Sequence, residues 1–235
     1  MNALNVCRLG PTPYGEGVRI QEAVVRARAG GETGDWLLYP DHPPVLTIGR
    51  GASGDNLRVA PALLAARGIE VHEVSRGGDI TWHGPGQLVG YPIVDLGSRG
   101  RDLHVFLRHL EAAVIETLAN WDISAERVPG KTGVWTGGAK IASIGIAVRR
   151  WVSYHGFALN VSPDLEFFDL IHPCGLRDVR MTSMAALLGP RVPPLEAVRQ
   201  RMTEVLARRL GYEGVAWARR EDVPNDQADP AAIRG

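Results

Sequence analysis

The chain has 235 residues, is 45% apolar and 22% charged, and balances 26 basic against 26 acidic side chains for no net charge. That length can bury a substantial core, in one large domain or two small ones. The neutral balance leaves no electrostatic footprint for nucleic acid or an anionic membrane surface, and no apolar run reaches the length of a membrane span.

In chain order, the first segment lacks the basic and apolar regions of a secretory signal, so Cys7 and Cys174 are expected to be free thiols of a cytoplasmic protein. Residues 16–29 predict a helix stopped by Gly30 and Gly31, followed by short strands at 36–39 and 45–48, separated by Pro40, Pro43 and Pro44. Gly49, Gly51 and Gly54 match the spacing of a dinucleotide-binding turn. The next helix, however, opens only at Pro61, too late for its N-terminus to hold a pyrophosphate. Residues 69–74 alternate like a strand. Residues 76–87 then pack four glycines with Arg76, Trp82 and His83 into a loop-strand-loop unit. Such glycines bring backbone N–H groups close to a ligand, or simply form the tight turns of a hairpin; the pattern alone leaves both readings open.

The clearest helix covers residues 102–121, with Asp102 as N-cap and an apolar stripe of Leu103, Phe106, Leu107, Leu110, Val114, Leu118 and Trp121 that reads as core packing. Residues 140–148 and 153–161 predict a hairpin turning near 149–151. Even alternation places Lys140 on one face with Ala142, Ile144, Ile146 and Val148. It leaves Ser143, Gly145 and Ala147 as a small-residue face that something approaches closely. A last helix is expected over 195–210, stopped by Gly211. Strands and helices mix without strict βαβ alternation, which predicts one α+β domain over residues 1–218 and a polar, frayed tail over 219–235.

Only two of the 26 basic residues are lysines, Lys131 and Lys140. Arginine holds its proton near neutral pH, whereas a lysine can be tuned to exchange one. Lys140 stands in a glycine-rich apolar stretch, and Cys174 lies between Pro173 and Gly175. A titratable amine and a thiol are the minimum equipment for acyl transfer through a thioester. On these two residues alone, a solvated lysine and a buried apolar cysteine remain the alternative. No P-loop, His-Glu-x-x-His or Cys-x-x-Cys is present, so no metal is expected.

The string RGGDITWHGPGQLVGYPIVDL, followed in order by GKTGVW, AKIASIGIAV, HGFALNV and PCGL, resembles the signature of the octanoyl/lipoyl protein transferase family, of the lipoate-protein ligase B type. The resemblance runs from about Pro40 to Gly189. It implies a mixed sheet with flanking helices, as in the lipoate and biotin protein ligases of class II synthetase-like fold. It also implies a reaction without cofactor or metal: an octanoyl group passes from octanoyl-acyl carrier protein to a lysine of lipoyl domains. The acceptors implied are the 2-oxoacid dehydrogenase complexes and the glycine cleavage H protein, with no nucleic-acid or membrane partner. By the same resemblance Cys174 is the acyl-thioester nucleophile and Lys140 its activating partner. Arg76, Gly77, Gly78, Asp79, Ile80, Thr81, Trp82, His83, Ser143, Ile144, Gly145, Gly156, Phe157 and Ala158 surround the acyl group. Asp79 is assigned no role. His83 and His155 are read as orienting backbone and loops rather than as bases, with His83 the first alternative base should Lys140 prove structural, and backbone amides of 76–78 or 143–145 are the candidate donors to the oxyanion. Three rivals remain: an ATP-dependent ligase of this fold, which would use Lys140 against an acyl-adenylate and need no cysteine; an acyl-thioester hydrolase, which would use the same pair; and a non-catalytic acyl-binding module, which would tolerate losing both.

Overall fold

The computed structural model describes residues 2–52, 56–171 and 179–225. Its main elements are β1 (Ala3–Pro11), α1 (Tyr14–Gly30), β2 (Trp36–Asp41), β3 (Val45–Ile48), α2 (Pro61–Ala66), β4 (Glu70–Glu73), β5 (Ile80–His83), β6 (Gln87–Ile93) and α3 (Leu103–Ala119). The chain continues through β7 (Glu126–Val128), β8 (Lys131–Thr136), β9 (Ala139–Arg149), β10 (Val152–Asn160), α4 (Met184–Leu188), α5 (Leu195–Arg209) and β11 (Gly214–Ala218). Among the described residues eight strands form one sheet in the order β11-β1-β2-β6-β10-β9-β8-β7, and β4-β3-β5 form a second. The large sheet is mixed: β11, β1 and β2 run parallel, while the pairs from β2 to β7 are antiparallel.

Three apolar clusters hold these layers together. Phe106, Leu110, Val114 and Leu118 of α3 and Val198, Met202 and Leu206 of α5 cover one face of the large sheet. Val24 and Val25 of α1 cover the other, against Leu38, Tyr91, Ile93 and Val152. Leu46, Leu64, Ile80, Trp82 and Phe168 close the small sheet. Asp102 caps α3 as expected, its side chain accepting the Val105 N–H, and Gly31 ends α1 in the left-handed region. The β9–β10 hairpin turns at Arg150 and Trp151, both at positive φ as a two-residue primed turn requires.

The structure departs from expectation at both ends. β1, where residue spacing predicts no element, is an inner strand of the large sheet whose Leu4 and Val6 are buried. The segment expected as a frayed tail packs at its start: Arg220–Asp222 form a 3-10 turn, Arg220 donates to Leu9 O and Glu16, and Val223 is 4% exposed. Residues 226–235 lie outside the described residues. No described helix is long and apolar enough to cross a membrane.

Candidate active site

A cavity of about 310 Å³ opens beside β9 and β10, between the two sheets, and Lys140 lines it. Its position follows from a break in the strand pattern. Ile141, Ala142, Ile144 and Ile146 all belong to the core under α3 and α5, so two successive residues of β9 share one face. The pairing of β8 with β9 shifts between Val134 and Trp135, which face Ala142 and Lys140. This bulge corrects the even alternation expected from the sequence: Lys140 leaves the aliphatic face and joins Ser143 and Gly145 on the cavity wall. There it is 2% exposed.

The slot that receives Lys140 is made by an absent side chain. Gly133 has φ +125°, and a Cβ on it would fall 2.6 Å from Lys140 Cε and 3.3 Å from Nζ. The ammonium lies 5.7 Å from the centre of the Trp135 ring, and Lys131 Nζ lies 5.3 Å from that same ring. The chain's two lysines therefore meet at one tryptophan, Lys131 exposed at the rim and Lys140 enclosed.

The opposite wall is the segment 76–83. Arg76 is buried; its guanidinium donates to Thr47 O at 2.7 Å, to Thr47 Oγ1 at 2.8 Å and to Gly77 O at 3.1 Å. Three successive amides latch this loop in place, Gly49 N–H to Asp79 O, Arg50 to Arg76 O and Gly51 to Gly78 O. These are the amides a dinucleotide turn would need for phosphate. On the small-residue face of β9, the close neighbour is this same loop: a Cβ at Gly145 would stand 2.8 Å from Gly77 O. Gly77 donates its own N–H to Ile146 O, so that amide is not available to an oxyanion.

Arg76, Gly78, Asp79, Ile80, Thr81, His83, Lys140, Ser143, Ile144, Gly145, Gly156, Phe157 and Ala158 all line the cavity. Gly77 and Trp82 do not. The period of β5 sends Thr81 and His83 to the cavity, while Trp82 stacks on Phe167 at 5.0 Å and packs edge-on to Phe168 within the small-sheet core. Cys174, with its neighbours Pro173 and Gly175, lies outside the described residues.

The floor is a polar aromatic cluster that sequence reasoning did not assemble. His42 Nδ1 donates to Thr12 O, so its Nε2 accepts from Tyr91 O–H, each at 2.7 Å. Gln87 donates to Asn160 and to Trp82 O, which leaves its carbonyl to accept from His83 Nδ1 at 3.1 Å. His155, at φ +58°, donates its backbone N–H to Gln21 Oε1 at 2.7 Å. Tyr14 and Tyr91 line the cavity above this network. Tyr91 and Trp135 belong to the motif strings; Tyr14 lies before them, and His42 reaches the floor through Tyr91. Nothing in local spacing joins these four.

Burial and, second, the charge of neighbouring groups hold these rings neutral. His83 is pushed down to about 3 by desolvation, then by His42 and Arg76, and His155 to about 4 by desolvation and Arg76. Burial also raises Tyr14 to about 12. An unfolded histidine takes a proton near 6.5, so below that pH unfolding takes up protons that the folded rings refuse. The stability that depends on these two rings staying neutral is present above pH 6.5 and is lost as pH falls towards 4 for His155 and 3 for His83. Differential scanning fluorimetry between pH 7.5 and 4.5 should show that decline. His155→Asn, which tolerates the left-handed backbone and cannot titrate, should flatten it. Equal slopes for the two proteins would contradict a buried neutral ring. Among the described residues no group of three or more His, Cys, Asp or Glu is placed to hold a metal.

A mixed sheet flanked by helices is also the fold of solved lipoate and biotin protein ligases. A lipoate-protein ligase A bound with ATP superposes with TM-score 0.72 at 18% identity, covering 93% of this chain and 88% of its own. The biotin protein ligase of Aquifex aeolicus in complex with biotin and ATP gives 0.53 at 13% identity, over 89% and 71%. These likenesses carry the fold. The sequence goes further: the lipoyl protein ligase A/B catalytic domain matches residues 13–207, and the chain belongs to that family. The octanoyltransferase of Geobacter metallireducens is 50% identical over 185 residues, which is 79% of this chain and 84% of that protein. The chain is an acyltransferase of this group.

Proposed function

We propose that the chain moves an octanoyl group from the thioester of acyl carrier protein to a lysine of lipoyl domains, through a thioester on Cys174. The acceptors are the lipoyl domains of 2-oxoacid dehydrogenase complexes and the glycine cleavage H protein. In the first half Cys174 gives its proton to the Lys140 amine, the thiolate attacks the carbonyl carbon, the bond to the carrier's sulfur breaks, and that sulfur takes the proton from the Lys140 ammonium. In the second half the acceptor amine attacks, loses a proton and displaces Cys174. Lys140 as ammonium favours the thiolate, and as amine it receives the acceptor's proton. The single observation that carries this reading is the enclosure of Lys140 in the cavity, over Gly133, where a surface lysine would not be. The strand face that lines the cavity beside Lys140 is made of small residues, Ser143, Gly145, Gly156 and Ala158, which leaves room for an acyl chain. Burying each methylene is worth about 0.8 kcal/mol, so loss of one weakens binding about fourfold.

Transfer from octanoyl-acyl carrier protein should proceed unchanged after apyrase removes ATP, because a thioester donor is already activated. Free octanoate with ATP should give no product. A requirement for ATP would favour the ligase reading, and faster release of octanoate than transfer to a lipoyl domain would favour the hydrolase.

A further inference from the structure

α3 carries a carboxylate on its buried face. Glu111 follows Leu110 on the side turned to the sheet, and its side chain is 1% exposed. Its Oε2 pairs with Arg108, and its Oε1 accepts the backbone N–H of Gly133 at 3.1 Å. Gly133 lies where β8 is out of register with both neighbours, the pairing slipping between Glu126 and Val128 on one side and between Val134 and Trp135 on the other. A buried amide at such a break needs another acceptor, and the helix layer supplies it.

We infer that Glu111 is a positioning residue for Lys140. It holds Gly133 in the bulged course of β8, and Gly133, lacking a Cβ, leaves the slot in which the Lys140 side chain lies. A buried carboxylate is a weak source of stability, and an apolar residue of similar volume would pack this face at least as well. Its geometric effect, one strand away from the ammonium, is what distinguishes it from the rest of the helix. The inference rests on Lys140 acting in the transfer, as proposed above.

The test is a double-mutant cycle, read as steady-state octanoyl transfer from acyl carrier protein to a lipoyl domain well below the melting temperature of each variant. Glu111→Gln keeps an acceptor for the Gly133 amide and should stay within about threefold of wild type. Glu111→Leu should lower kcat by about 10–100-fold, the scale of a misplaced catalytic group, with KM for the carrier changed less than about twofold. Placed on Lys140→Arg, Glu111→Leu should lower the residual rate by less than about threefold, because both changes remove the same contribution. Glu111→Met serves in the same way if the leucine protein does not fold. Wild-type kcat in a folded Glu111→Leu protein overturns the inference, as do losses that multiply in the double variant, which mark a general structural role. Full activity in Lys140→Arg overturns the reading of Lys140, and this inference with it.

Discussion

Lys140→Arg should lower overall transfer by about 10²–10⁴-fold, the usual contribution of general acid–base catalysis. The guanidinium keeps the positive charge that favours a thiolate but cannot receive a proton from the attacking amine. It also does not fit. Lys140 is 2% exposed, and its Cε already occupies the place 2.6 Å from where a Gly133 Cβ would be. Lys131→Arg is the comparison: Lys131 is exposed, and an arginine there has room and can still lie over Trp135, so most activity should remain. Alkylation of the nucleophilic thiol at neutral pH should fall less than transfer in Lys140→Arg. Mild and equal losses at both lysines would mean that charge alone is needed at position 140. His83 would then be a weak substitute base, since burial pushes its pKa down to about 3.

The parts of the fold that rest on unbroken period were legible in the residues. The apolar stripe of α3, the two arms of the β9–β10 hairpin and the stop of α5 before Gly211 all came from side-chain spacing, because each buries one regular face. What escaped was whatever depends on a break in period or on meeting across the chain. The bulge between β8 and β9 leaves GGAKIASIGIAV looking evenly alternating, so spacing alone puts Lys140 on the wrong face. Trp82 shares a motif string with His83, yet a string does not say which of two neighbours turns inward to a cavity and which to a core. The Thr12–His42–Tyr91 chain joins three distant segments, and no window contains it. Glu111 was visible on the predicted helix, but a carboxylate beside an apolar stripe reads as a boundary residue until its partner, the Gly133 amide, is seen.

Cys174→Ser should abolish transfer, by about 10³-fold or more, as removal of a covalent nucleophile does. The control needs care. Cys7 is not a loose thiol near the chain's beginning: it is fully buried on β1, in the core under α1, and burial raises its pKa. A serine there would place a hydroxyl among apolar side chains at a cost of about 1–3 kcal/mol, so a loss of activity could reflect folding. Cys7→Ala avoids that hydroxyl and should retain near-normal transfer. After incubation with octanoyl-acyl carrier protein, intact-mass measurement should show one octanoyl addition in the wild type and in Cys7→Ala, and none in Cys174→Ser. Hydroxylamine should remove it, because a thioester yields where an amide does not. A buried thiol with a raised pKa is a poor nucleophile at neutral pH, so an adduct on Cys7 would contradict its burial as well as the mechanism. Full activity in Cys174→Ser would end the covalent mechanism, leaving direct attack of the acceptor amine on the donor thioester, with Lys140 as the base.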